Sequence, residues 1–170
     1  MKKAVFITML TCLCFGSMNA QSTEYFVTAG FSYGSTKVEG IGLTTTDSAN
    51  GLYAGAGAIF KLSPTTGIMA ELSHMNIGDI NFIQLPVVFR YEFVPKFNIL
   101  AGTQIMVRLQ PRMNNTNNFS GAFVGGVQYD LSEDWFLLGR YIVQIKNAFN
   151  GNGGLVTTTN FLNIGVGYKF

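Results

Sequence analysis

The chain has 170 residues, with 11 basic and 9 acidic side chains, one histidine, and only 12% charged residues. That length suits one domain, the near balance of charge offers no basic face to nucleic acid, and the charged fraction is about half the ~25% of soluble domains. No apolar run reaches the ~20 residues of a spanning helix, so a membrane protein made from this chain would cross with strands.

The first predicted element is an export signal. Met1-Lys2-Lys3 supplies a basic start, Ala4 to Phe15 an apolar stretch of about a dozen residues, and Met18-Asn19-Ala20 a small residue at the cut. Cleavage is expected after Ala20, so residues 1–20 are a signal peptide and residues 21–170 the folded domain. A lipoprotein signal ending at Cys12 or Cys14 is the alternative, but neither cysteine has the usual leucine and small residue before it. Cleavage removes both cysteines, and with them the disulfides that small exported soluble domains lean on. It also leaves 9 basic against 9 acidic residues, a net charge near zero.

From Gln21 onward the pattern is period-two alternation, the mark of strands with two unlike faces. Eight segments follow. Tyr25–Gly34 puts Tyr25, Val27, Ala29, Phe31 and Tyr33 on one face. Leu52–Leu62 sets alanines, Phe60 and Leu62 against Gly55, Gly57 and Lys61. Gly67–Met75 opposes Ile68, Ala70 and Leu72 to Glu71 and Ser73. Ile83–Phe93 opposes six apolar residues to Gln84, Arg90 and Glu92, with Pro86 predicting a bulge or break. Asn98–Leu109 carries Gln104 and Arg108 on its polar face; Gly121–Leu131 carries Gln128 and Asp130. Trp135–Lys146 carries Arg140 and Gln144, and Asn160–Phe170 ends the chain with Asn163, Gly165, Gly167 and Lys169 opposite Leu162, Ile164 and Val166.

Each segment has about the ten residues that cross hydrocarbon at a tilt near 45°. The connections alternate. Ser63–Thr66, Val94–Lys96 and Ser132–Asp134 read as tight turns, whereas 36–51, 76–81, 110–120 and 147–159 read as longer polar loops. Short turns on one side and long loops on the other predict an up-and-down barrel with both termini on the periplasmic side. Hydrocarbon offers backbone groups no partners, so the sheet must close. Aromatic girdles are expected at both edges, with Tyr25, Tyr91, Trp135 and Tyr168 on the turn side and Tyr33, Phe82, Phe119, Phe123 and Phe161 on the loop side. A soluble lipocalin-like barrel would instead put these aromatics inside and Arg90, Glu92, Arg108 and Arg140 outside. Inward glycines, among them Gly55, Gly57, Gly102, Gly126, Gly165 and Gly167, leave room for large side chains across a narrow lumen.

The last eight residues, Asn163 to Phe170, resemble the C-terminal signal by which outer-membrane barrels are recognised for insertion, with Asn163, Gly165, Tyr168 and Phe170 matching its positions. With the signal peptide and eight strands, the chain resembles the small outer-membrane barrels: the membrane domain of outer membrane protein A, outer membrane protein X and opacity-type proteins. The resemblance implies a bacterial outer-membrane location, contact with lipid and lipopolysaccharide, handling by the barrel-assembly machinery through the last strand, and a monomer. Unlike outer membrane protein A, no periplasmic peptidoglycan-binding domain is expected after the barrel.

An eight-stranded barrel is just wide enough for its side chains to fill it. Glu71, Arg90, Glu92, Arg108, Arg140 and Gln144 are the expected interior polar network, with Glu71, Arg90 and Arg140 at similar heights, and pairing is expected because unpaired buried charge is costly. The network is read as a polar plug, or else as a narrow passive pore for ions or small solutes. The loops, with Thr44-Thr45-Thr46, Asn114–Asn118, Asn147–Asn152 and Arg112, are the candidate surface for an adhesin-like role. Some small barrels modify lipid A, and one such deacylase uses a neighbouring His and Ser; Ser73-His74 with Asp79 resembles that set. Alternation places Ser73 and His74 on opposite faces, so no enzyme, cofactor or metal site is expected.

Overall fold

A computed structural model describes residues 23–40, 43–109, 118–145 and 156–170, without the side chains of 38–45 and 156–158. The expected signal peptide, Arg112 and most of the two asparagine-rich loops lie outside the described residues.

Eight strands follow in chain order: β1 (Thr23–Gly40), β2 (Leu43–Lys61), β3 (Thr66–Ile77), β4 (Ile80–Val94), β5 (Phe97–Arg108), β6 (Phe119–Asp130), β7 (Trp135–Gln144) and β8 (Val156–Lys169). Each pairs antiparallel with its chain neighbours, and β1 pairs with β8, so the barrel closes. Closure leaves no strand edge within hydrocarbon, which is what an apolar outer face demands. Register partners lead from Glu24 through Ile59, Met69, Val88, Gly102, Val124, Ile142 and Phe161 back to β1 at Gly34, ten residues further along. That stagger is the shear that tilts the strands.

The outer face carries Tyr25, Phe31, Leu72, Val87, Phe123 and Ile164, all exposed, and the alternate residues are buried. Exposed large apolar groups on every strand suit lipid and would be costly in water.

The interior departs from the expected polar lining. Phe26, Ile59, Met69, Leu100, Phe136 and Leu138 are buried inside beside Gln84, Gln104 and Gln128. A lumen this narrow excludes bulk water, so apolar side chains fill it as readily as paired polar ones. Phe82 and Phe161, expected in the loop-side girdle, are also inside, edge to face at 6.0 Å between ring centroids. They share strand parity with Gln84 and Asn163, and parity outweighs nearness to a strand end.

Two expected loops are shorter than read. The β1–β2 ladder continues past Tyr33 to Gly40 paired with Leu43, so most of 36–51 is β-ribbon. Residues 76–81 form a tight turn in which Gly78 takes a φ of 56° and Asn76 Nδ2 donates to Asn81 Oδ1 at 3.1 Å. Pro86 interrupts the β3–β4 ladder between Ala70–Val87 and Ser73–Gln84 without shifting register, because it lacks an N–H. The register shift falls instead between Glu92 and Val94. On the turn side, Lys96 adopts a φ of 70° beyond Pro95, the left-handed position of a tight turn.

Candidate functional site

The lumen holds two polar clusters on a frame of inward glycines. In the first, Glu71 of β3 meets Arg140 of β7 across the barrel. Arg140 Nη2 donates to Glu71 Oε1 at 3.1 Å and Oε2 at 2.9 Å, and the Thr28 hydroxyl donates to Oε1 at 3.0 Å. Both charged side chains are shut off from solvent, at 2% and 0% exposure. The Arg140 guanidinium lies 5.7 Å from the Tyr53 ring centroid, a cation–π contact. Gly126 and Gly55 make this possible, since a Cβ on either would press on Arg140 or Glu71.

The second cluster sits at the turn-side end around Asp130. One carboxylate accepts four bonds: from Arg90 Nη2 and Asn98 Nδ2 at 3.0 Å each, Gln128 Nε2 at 2.8 Å and Lys169 Nζ at 3.1 Å. Arg90 therefore joins Asp130 and not Glu71, so the expected single Glu71–Arg90–Arg140 network is two networks. The bond geometry of two cations and two amides converging on Asp130 explains the split. Glu92 lies at the β4 irregularity, half-buried and without an ion pair among the described residues. Gln144 sits at the opposite end, donating to Ser120 Oγ at 3.1 Å. Thr28, Tyr53 and Lys169 were absent from the predicted network; Tyr53 shares parity with Gly55 and Gly57, a signal that would have put it inside.

Inward aromatics use the glycines too. A Cβ on Gly167 would run into the Phe136 ring, and one on Gly30 or Gly165 into Tyr53. Of the terminal motif, Asn163 faces in and accepts a bond from the Ser32 hydroxyl at 2.7 Å. Tyr168 faces out between Trp135 and Phe170, with ring centroids 5.0 and 5.3 Å away. The Phe170 backbone N–H donates to the Tyr25 carbonyl at 2.9 Å, sealing the β1–β8 seam.

At the loop-side mouth a cavity of about 160 Å³ opens above the Phe82–Phe161 pair, with Arg108, Gln144 and the Thr36 and Thr159 hydroxyls on its wall. Ser73 is buried inside and His74 exposed outside, so the two cannot form a hydrogen-bonded dyad across the sheet. Among the described residues no group of His, Cys, Asp and Glu could hold a metal.

No family profile matches this sequence, and no curated protein does. Solved structures match its fold. The Yersinia pestis outer membrane protein Ail in a phospholipid bilayer nanodisc is 11% identical, with a TM-score of 0.53, over 88% of this chain and 100% of that one. Neisserial surface protein A is 14% identical with a TM-score of 0.52 over the same shares. A crystal structure of Ail with the heparin analogue sucrose octasulfate is 12% identical with a TM-score of 0.50, again over 88% and 100%. This chain thus has the fold of the small outer-membrane barrels, an all-β, eight-stranded, antiparallel transmembrane barrel.

Proposed function

We propose that this protein is a monomeric barrel of the bacterial outer membrane that works at the cell surface, as an adhesin-like interaction protein. The observation that carries the reading is a raised sheet. β1 has 18 residues and β2 has 19, against about ten needed to cross at a tilt. Their lipid-facing apolar stripe ends at Tyr33, while pairing of β8, β1 and β2 continues to Val156, Glu39 and Thr44. Among the described residues nothing pairs with the outer side of β2 over Leu43–Ala49, since the β2–β3 ladder begins at Gly51. An open strand edge held beyond the lipid is a template for an extended segment of a partner.

The signal peptide, removal of residues 1–20 and insertion through Asn163, Gly165, Tyr168 and Phe170 belong to the same reading, as does contact with lipopolysaccharide around the barrel. One structural neighbour was solved with a heparin analogue. The loop sequences here carry few cations, Lys37 and Arg112 among them, so a polysulfated sugar is a poor match.

A conducting pore fits less well, because Met75, Leu100, Met106, Leu138 and Ile142 are fully buried across the lumen beside the Glu71–Arg140 pair. The test replaces residues 37–48 with a two-residue turn. Bacteria displaying the shortened protein should lose adhesion to host-cell monolayers, while the barrel keeps its heat-dependent gel mobility and stays silent in a planar bilayer. Unchanged adhesion together with discrete current steps that shift on Arg140→Ala would favour the pore.

A further inference from the structure

The loop-side cavity has features that the surface reading leaves unused. Its wall combines the apolar side chains of Ile77, Ile80, Phe82 and Phe161 with the polar ones of Arg108, Gln144, Thr36 and Thr159. Phe82 and Phe161 are themselves 8% and 3% exposed, so they form a fixed hydrophobic floor. Arg108, the register partner of Phe82, holds its guanidinium 5.8 Å from the Phe82 ring centroid. Among the described residues no carboxylate pairs with Arg108, although Glu71 and Asp130 each take up the other lumen arginines. A guanidinium that lines a cavity beside an aromatic face can donate two parallel hydrogen bonds to a carboxylate.

The volume admits a single aromatic ring. A cavity of about 150 Å³ accommodates a benzene ring, and this one is about 160 Å³. The exposed carboxylate of Asp47 on the same rim repels a second negative charge and so weighs against phosphate and other polyanions. We propose that the loop-side mouth is a binding site for a small monoanionic carboxylate with a flat apolar body, its carboxylate on Arg108 and its ring on the Phe82–Phe161 floor. Sites of this kind combine a mostly apolar wall with one or two placed polar groups.

The experiment is an NMR titration of the refolded mature barrel in detergent micelles, with benzoate, benzylamine and toluene as probes. Benzoate should give saturable shifts at Phe82, Phe161 and Arg108 that benzylamine does not. Arg108→Gln should weaken benzoate at least tenfold, and Asp47→Asn, which removes the repelling charge, should tighten it. Lys96→Ala on the turn side should change nothing. The proposal is overturned if benzoate shifts fail to saturate, if benzylamine binds as tightly, or if folded Arg108→Gln binds benzoate like the parent. Toluene binding as well as benzoate would likewise reject the role of Arg108.

Discussion

Removing either partner of the Glu71–Arg140 pair should be among the costliest changes to the lumen. The two side chains are 0% and 2% exposed, and Arg140→Ala leaves the Glu71 carboxylate with only the Thr28 hydroxyl among the described residues. Breaking a buried pair from one side costs about 3–5 kcal/mol, because an uncompensated charge stays in a low-dielectric place. Replacing both partners with apolar residues of similar volume is often neutral or stabilising by about 1–4 kcal/mol. Glu71→Leu and Arg140→Met should therefore each lose about 3–5 kcal/mol, while the double variant that carries both loses less than either. Urea unfolding in lipid vesicles, followed by the fluorescence of the single tryptophan, Trp135, measures all four corners of the cycle. Single losses under about 1 kcal/mol, the value of an exposed pair, or a double loss equal to the sum of the singles, would refute the buried-pair argument.

Other substitutions probe the remaining features. Val87 faces lipid near mid-height, 43% exposed, so Val87→Arg should cost about 2–4 kcal/mol in vesicles; a neutral result would mean that face does not meet hydrocarbon. Gly167→Ala pushes a Cβ into the Phe136 ring and should cost about 1–3 kcal/mol, most of it recovered when Phe136 becomes leucine. His74→Ala should leave the lipid A mass spectrum of the host unchanged; a reverting modification would revive the enzyme reading that the opposite faces of Ser73 and His74 oppose.

The outer surface was legible because lipid imposes one rule on every strand: large, apolar and at every second position. Tyr25, Val27, Phe31 and Tyr33 on β1 and Trp135, Leu137, Tyr141 and Val143 on β7 follow it, with Ala29 and Gly139 the small residues in the two series. The inner surface obeys a looser rule, that the space be filled and each charge answered. Phe26, lying between Tyr25 and Val27 in an apolar run, therefore carried no contrast to mark it as inward. Arg90 could be placed inside by parity, but its choice of Asp130 over Glu71 depends on stagger between strands that no single segment records. The β1–β2 ribbon was missed for a related reason: beyond the lipid both faces of a strand meet water, so the alternation fades although the ladder goes on.

The cross-lumen bonds also bear on how many strands the barrel can have. Glu71 on β3 is answered from β1 and β7, and Asp130 on β6 from β4, β5 and β8. No single hairpin contains Glu71 with Arg140, or Asp130 with Arg90 or Lys169. A barrel that closed without β3–β4, β5–β6 or β7–β8 would strand at least one charged group in a dry interior, and one that admitted an extra hairpin would draw the partners out of reach. Strand number is thus checked from inside, by charges that only the complete ring can satisfy.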